Sequence, residues 1–489
     1  MKTMYRKAIT EKDKVLLLPF FTDLKNVPEA YRDWLKARVK AHDFSEKRDS
    51  HVTFYPGSSI EPNRIVFYCF GEEEKSTARQ IRGSLAQAIK MLRHQQLPEL
   101  SIAFNSQFLK FAREIGEACA LANYNQAIYK TGKDRKEAEG KLIKKICIIS
   151  KEIDRVQKYD LEEGLKVGLA VNEVRDLVNS PHNIVNVDTL AARAEEVCNE
   201  NKLKITVLDR KQLEKLKMGA LLAVNEGAKH QAKLVVMEYL PLGRRQEPIV
   251  LVGKGVTFDT GGVNIKPTQG LSEMHMDMAG AGAVLGVFML LKELDIRQNV
   301  IGLLPLTDNS VDAQSQKPSD IITSYSGKTI QVGNTDAEGR LILCDAISYA
   351  IKTYKPSAVI DIATLTGACM VALGDQIAGM WGNNDQMKER MKNAALETDE
   401  EVWEMPIHEI HREGMKGKFA DLNNIDSATS GLAGACTAAA FIENFVDKTD
   451  WIHLDIAGPA MPKKHKDIDF PGASGYGVRL LIRFLQNIK

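Results

Sequence analysis

The chain has 489 residues, and at roughly 150 residues per domain that length suggests about two to four domains. Its 44% hydrophobic and 26% charged residues, with 35 Gly and 16 Pro, exclude a mainly disordered chain, a collagen and a small disulfide-held scaffold. The 65 Lys+Arg against 64 Asp+Glu leave a net charge of +1, which argues against a protein built to coat nucleic acid or an acidic membrane, although local patches stay open.

Near the N-terminus, Val15 to Phe21 is a short apolar run broken by Pro19, with no small-residue cleavage site behind it. It reads as a first β-strand rather than a secretory leader. Further strands are expected over residues 64–70, 100–104 and Lys145–Ile149. Between them, residues 76–93 place apolar side chains at 81, 85, 89 and 92, a helical spacing, with Ser76 as the N-cap. Residues 107–123 read as another helix, and a charge-rich stretch, 130–145, leads into the last strand. Residues 1–155 thus make a small α/β domain.

Residues 160–179 form a long helix candidate with Leu161, Leu165, Leu169, Val174 and Val178 near one stripe, ending at Ser180-Pro181. Residues 156–179 are therefore read as a linker helix and 180–489 as the larger domain. Strands are expected there at Lys204–Leu208, 234–239, Ile249–Gly253, 300–306, 329–333 and 358–362. Their Val, Ile and Leu run without alternation, as in strands covered on both faces. The expected fold is α/β in two domains, the larger holding a mixed, mainly parallel sheet covered by helices.

The longest apolar stretch, Ala279 to Leu291, is 13 residues, short of the ~20 that a membrane span needs. The seven cysteines (69, 119, 147, 198, 344, 369 and 436) are scattered and contain no CxxC pair. They read as small buried hydrophobes in a reducing compartment, so a cytoplasmic location is expected.

In an open α/β sheet, ligands lie beyond the carboxyl ends of the strands. After Ile249–Gly253 comes Lys254-Gly-Val-Thr-Phe-Asp259-Thr-Gly-Gly262, followed by Lys266 and Asp277. After residues 329–333 comes Asn334-Thr-Asp336-Ala-Glu338-Gly-Arg340-Leu341. Four carboxylates gathered in a buried site repel one another and lose hydration unless a cation compensates. A carboxylate set without His or Cys is chemically hard, so Mg, Mn, Co and Zn all fit by ligand type. Asp259, Asp277, Asp336 and Glu338 are enough for two ions if one or two of them bridge, and two ions about 3.5–4 Å apart activate a shared water. Glu338–Tyr354 is a strong helix candidate. Its N-terminal amides, with Arg340 in the first turn, suggest a bound anion: phosphate, carboxylate or bicarbonate.

These residues closely resemble the leucyl aminopeptidases, the M17 family of cytosolic metallo-aminopeptidases. Asn334 to Leu341 matches the family signature. Lys254 to Gly262, Lys266-Pro267, the Met274 to Gly286 stretch around Asp277, Ala363 to Cys369 and Trp451 to Gly458 match in order and spacing. The resemblance covers residues 165–489. The N-terminal third is similar only in pattern, apart from a weak match at Tyr124 to Lys130.

The resemblance implies that 180–489 is a catalytic peptidase domain and 1–155 an accessory domain. It implies that Lys254, Asp259, Asp277 and Glu338 hold a tighter metal, and that Asp259, Asp336 and Glu338 hold a more exchangeable one. A lysine ligand must be neutral, so its pKa would be strongly lowered. The substrate α-amino group would bind the tighter metal, and a metal-bridging water would attack the peptide carbonyl. Lys266 would stabilise the oxyanion. Arg340, with Ala337, Gly339 and Leu365, would hold a bicarbonate acting as general base. Met274, Thr364, Gly367 and Ala457 would line an apolar specificity pocket, with Ala460 or Met461 nearby, favouring Leu and similar side chains of peptide substrates. A homohexamer, a dimer of trimers, is implied. The chain departs from the common family pattern at His182, His275 and Ala279, none of them a ligand or catalytic position.

Two other classes fit less of the chain. One is a DNA-binding or regulatory protein on an aminopeptidase scaffold, to which Lys463-Lys-His-Lys466 could contribute. The other is a two-metal phosphatase. The complete ligand set and balanced charge disfavour the first as the main role, and Lys254 disfavours the second. His408-Glu-Ile-His411 is one residue short of the zincin spacing and reads as a solvated helix face. The glycines from Gly280 to Gly286 read as close helix packing rather than a dinucleotide loop.

Overall fold

The computed structural model describes residues 1–489 apart from 11–12, 42, 57–61, 427–431, 466 and 489. Lys466, the last residue of the basic run, thus lies outside the described residues. The chain divides into two compact units. One is Met1–Asn172 with His465–Phe470, and the other is Glu173–Lys464 with Pro471–Lys489. The division falls inside the helix Arg155–Asn179, which starts five residues earlier than its apolar stripe indicates.

The first unit is a six-stranded sheet in the order Lys2–Arg6, Lys145–Ile149, Glu99–Ala103, Val15–Phe20, Arg64–Cys69, His51–Phe54. Every neighbouring pair is parallel except the last. Leu16, Leu18, Phe20, Ile65 and Phe67 pack on one face with Cys147 and Ile149. Pro19 fits because the pairing with Glu99–Ala103 ends at Leu17↔Ile102, so its missing N–H breaks no ladder bond there. The first strand is Lys2–Arg6, not Val15–Phe20. It is a polar edge strand with no apolar run to announce it. The N-cap of Ala78–Arg93 is Thr77 rather than Ser76, and Gln80 completes a capping box. The helix expected over 107–123 is two helices, Ser106–Leu109 and Ala112–Leu121. The charge-rich stretch contains the helix Gly132–Gly140.

The second unit holds a nine-stranded sheet. Its path runs Val402–Glu404, Ala378–Gly382, Asp450–Asp455, Ala358–Ala363, Ile249–Gly253, Val300–Asn309, Lys233–Tyr239, Lys204–Leu208, and Gly255–Asp259 also pairs with Val300–Asn309. The four strands from Asp450–Asp455 to Val300–Asn309 are mutually parallel, and antiparallel pairs flank them. Alternate residues of these strands face opposite sides. Val250, Val252, Ile301, Leu303 and Val359 join the core that includes Leu341 to Cys344 of the helix Glu338–Tyr354. The other face meets the helix Ala279–Leu290. A Cβ on Gly302 would lie 2.5 Å from a Phe288 ring carbon, and one on Gly280 would lie 2.1 Å from the Ile362 carbonyl oxygen. The glycines of that helix therefore serve close packing.

Two expectations need correction. Residues 329–333 do not extend the main sheet. Thr329–Gln331 is the middle of a separate three-stranded sheet with Ile321–Thr323 and Leu422–Asn423. Residues 254–262, expected beyond the carboxyl end of Ile249–Gly253, do not lie wholly outside the sheet either, because Gly255–Asp259 is a further strand along Val300–Asn309. His408 and His411 sit at an exposed short helix, Glu409–Gly414, as a solvated face. All seven cysteines are free and buried. No helix among the described residues is long and apolar enough to cross a membrane.

Candidate metal centre

Lys254 sits at the junction of two strands. Its backbone N–H donates to Ile362 and its carbonyl accepts from Ala281, so the residue is held from both sides. Its side chain is 2% exposed. Nζ donates to Asp277 Oδ1 and to the Thr364 carbonyl, each at 2.8 Å, and lies 2.8 Å from Glu338 Oε1. Burial opposes the ammonium, but Asp277, Glu338 and Asp259 outweigh it, and the Lys254 pKa is raised. Burial and the neighbouring carboxylates Asp259 and Glu338 push Asp277 up, against the pull of Lys254.

Asp259 closes the second strand. Its Oδ1 accepts from the Gly261 N–H at 2.9 Å and from Asn309 Nδ2 at 2.8 Å. Gly261 has φ +88, and a Cβ there would lie 2.4 Å from the Asn264 carbonyl, so this turn requires glycine. Lys266 Nζ lies 2.8 Å from Asp259 Oδ2 and also pairs with Asp336. Asn334 Oδ1 accepts from the Asp336 N–H at 2.8 Å, shaping the turn before the helix. Burial, then Glu338 and Asp259, push the Asp336 carboxyl up to about 6.

Glu338 is the first residue of its helix, and the N-cap Ala337 offers no side-chain cap. One oxygen each from Asp259, Asp336 and Glu338 lie within 4.8 Å of one another, the one such group among the described residues. Glu338 Oε2 is buried with no hydrogen-bond partner. A hard donor set with an unsatisfied buried oxygen fits a divalent cation. Arg340 is 7% exposed, and burial pushes its pKa down to about 10. It donates through one terminal nitrogen to the Asn424 carbonyl at 2.7 Å, while its Nε has no partner.

The structure therefore brings Lys254, Lys266, Asp259, Asp277, Asp336 and Glu338 into one linked cluster. Thr364 joins it directly, since its hydroxyl donates to Asp277 Oδ1 at 2.7 Å. Met274 lies on the single turn Met274–Met276 just before Asp277. Ala337 and Ala457 are buried, Leu365 is half-buried and Gly367 is exposed. Gly339 is packed beneath Lys254. A Cβ there would lie 2.6 Å from Lys254 Cε and 2.9 Å from Leu365 Cδ1. Gly339→Ala is thus expected to displace Lys254 and lower kcat by ~10-fold or more while leaving the chain folded. Steady-state kinetics beside a circular-dichroism melt checks this, and wild-type kcat would count against the packing argument.

Sequence reasoning missed three organising residues. Asn309 ties Asp259 to the Thr335 carbonyl, which accepts from its Nδ2 at 3.1 Å. Asn424 Oδ1 accepts from the N–H groups of Gly333 and Asn334, and its Nδ2 donates to the Asn334 carbonyl at 2.6 Å. Asp455 accepts from Leu365, Thr366 and Ala457. Asp455 carried the one available signal, the single acidic residue of the mainly apolar stretch 451–458.

Residues 172–482 match the model of the cytosol aminopeptidase family, catalytic domain, and residues 14–133 match that of its N-terminal domain. The chain belongs to the cytosol aminopeptidase family. It is 36% identical to a probable cytosol aminopeptidase of Chlorobium limicola over 97% of both chains. It is 43% identical to one of Chlorobium phaeobacteroides over 77% of this chain and 75% of that one. Among solved structures it resembles the bottromycin maturation enzyme BotP in complex with Mn, with a TM-score of 0.85 and 25% identity, covering 97% of this chain and 99% of that one. Family membership carries aminopeptidase activity: the chain is an M17 peptidase, a hydrolase acting on peptides.

Proposed function

We propose that the chain is a two-metal aminopeptidase that removes N-terminal Leu and other apolar residues from peptides. The observation that carries this reading is the trio Asp259, Asp336 and Glu338, with Asp259 and Glu338 buried, Asp336 half-buried and Glu338 Oε2 unpartnered. The likeness to BotP in complex with Mn supports it. Lys254, Asp259, Asp277 and Glu338 would hold one ion, and Asp259, Asp336 and Glu338 the other. Divalent ions of the Zn, Mn, Mg or Co type would supply an activated water and a Lewis acid for the peptide carbonyl.

The chain's own residues do the rest. Lys254 must release a proton from Nζ to solvent to act as a ligand, and Asp277 Oδ1 and the Thr364 carbonyl, each 2.8 Å away, hold that nitrogen in place. Lys266, 18% exposed at its side chain, remains a cation at the cluster's edge and would offset negative charge on the carbonyl oxygen. The unpartnered Nε of Arg340, with the backbone at Ala337, Gly339 and Leu365, would hold an anion the size of bicarbonate as general base. Met274, Thr364, Gly367 and Ala457 would form an apolar pocket for the N-terminal side chain. A homohexamer in the cytoplasm completes the reading; its support is the family resemblance and the name of the relatives.

The test is release of leucine from a chromogenic leucyl anilide. Added Mn or Zn is expected to support hydrolysis, EDTA to lower it by ~100-fold or more, and Mn to restore it. Absence of metal-dependent hydrolysis across the neutral to alkaline range would overturn the reading.

A further inference from the structure

Asp455 ends the strand Asp450–Asp455 and is 0% exposed. It stands opposite Ala363 of the parallel strand Ala358–Ala363, so the chain segments that leave these two strands run side by side. Its carboxylate joins those segments. Oδ1 accepts from the N–H groups of Leu365 at 3.1 Å, Thr366 at 3.4 Å and Ala457 at 3.1 Å. Oδ2 accepts from the Thr366 hydroxyl at 2.7 Å. That hydroxyl oxygen in turn accepts from the Cys369 N–H at 3.0 Å and caps the helix Gly367–Leu373. A buried carboxylate is costly unless hydrogen-bonded, and here four donors satisfy it.

The segment it holds leads straight into the charged cluster. One residue before Leu365, the Thr364 carbonyl accepts from Lys254 Nζ and its hydroxyl donates to Asp277. The stretch 364–366 is thus pinned at one end to the candidate metal centre and at the other to Asp455. Through the same carboxylate it is tied to Ala457.

We propose that Asp455 is a specificity-determining positioning residue: by binding Leu365, Thr366 and Ala457 together, it sets the separation between the two chain segments, 364–367 and 457, that accept the N-terminal side chain of the peptide. This rests on the proposed function, which places Thr364, Gly367 and Ala457 around that side chain. Asp455 is 0% exposed, and its carboxylate bonds go to Leu365, Thr366 and Ala457, so its role is one of positioning. Its effect passes through the segments it fixes, and a wall that loosens loses discrimination between a large and a small side chain before it loses chemistry.

The test compares kcat/KM for a leucyl anilide with that for an alanyl anilide in Mn-loaded enzyme. Asp455→Ala is expected to lower the Leu/Ala ratio by ~10-fold or more, mainly through KM for the leucyl substrate, with bound Mn unchanged by elemental analysis. Asp455→Asn keeps an oxygen for the three N–H groups and is expected to return the ratio to within about threefold of wild type. Thr366→Val removes the hydroxyl link to Asp455 together with the cap on Gly367–Leu373, keeps the three N–H bonds to Asp455, and covers the case of an unfolded Ala variant; it is expected to lower the ratio by ~3-fold. A ratio within twofold of wild type in the folded Asp455→Ala and Thr366→Val variants, with both rates scaled equally, overturns the proposal, as does loss of Mn in step with activity. Wild-type enzyme that hydrolyses neither anilide overturns the functional reading and this inference with it, whereas active wild type with unchanged ratios in the variants overturns this inference alone.

Discussion

Replacing Glu338 by Gln is expected to lower kcat/KM for a leucyl anilide by ~10³-fold or more, the equivalent of about 4 kcal/mol of transition-state stabilisation. The substitution keeps volume and shape, so the loss is one of charge. Glu338 belongs to the carboxylate trio with Asp259 and Asp336 and also faces Lys254 through Oε1. An amide offers one oxygen where the carboxylate offers two. If that oxygen turns to Lys254, an NH₂ group replaces the unpartnered Oε2 and points a donor where a cation is to bind. Lys254 keeps Asp277 and the Thr364 carbonyl as partners, so the fold is expected to hold. Mn titration by calorimetry, with a thermal melt of the EDTA-treated protein, separates the two effects. Mn affinity should drop while the melt stays close to wild type. Activity within about tenfold of wild type would remove Glu338 from the centre of the mechanism.

The largest effect on stability is expected at Asp345, on the same helix but away from the cluster. Asp345 is 0% exposed. Its Oδ2 accepts from the N–H groups of Ala220 and Leu221, both at 3.0 Å, in the first turn of Gly219–Asn225. Its Oδ1 accepts from Tyr325 at 2.7 Å. The short helix has no side-chain cap of its own, so this distant carboxylate serves as one. Asp345→Ala would orphan three buried donors at about 1–3 kcal/mol each. The melting temperature is expected to fall by about 6 °C or more.

A pH dependence accompanies it. Burial, opposed by the three amides, pushes the Asp345 carboxyl from its ordinary 3.8 up to about 7. A group whose pKa is raised by folding stabilises the native state most below its unfolded value, and that contribution is lost as pH rises through the folded value. The stability of wild type relative to Asp345→Asn should therefore decline from about pH 4 to about pH 7. Denaturant unfolding of both proteins across that range checks the slope. A difference independent of pH would show that Asp345 is ionised throughout.

Local patterns carry much of this protein. Glu338–Tyr354 begins and ends where the sequence places it, because its one glycine, Gly339, lies in the first turn and Pro356 follows its end. Ile249–Gly253 and Lys145–Ile149 are continuous apolar strands and fall as expected. Lys2–Arg6 escapes a reading by apolar pattern because an edge strand needs only one partner and can stay polar. Thr329–Gln331 belongs to a different sheet from the one expected, because a three-residue strand carries no signal of which neighbour it pairs with.

The candidate centre divides in the same way. By itself the sequence determined which charged groups gather: a tight turn with Gly261 after Asp259, and a helix start after Asp336, put carboxylates and lysines into two short segments whose chemistry calls for cations. Only the tertiary structure decided how those segments are held. Asn424 reaches Gly333 across 91 positions, Asp455 reaches Leu365 across 90, and Lys254 reaches the Thr364 carbonyl across 110. Each is a single polar side chain serving backbone groups that become its neighbours only after the parallel strands are laid side by side. A hydrogen bond of that kind leaves no periodicity along the chain, so the fold has to be built before the residue's partner exists.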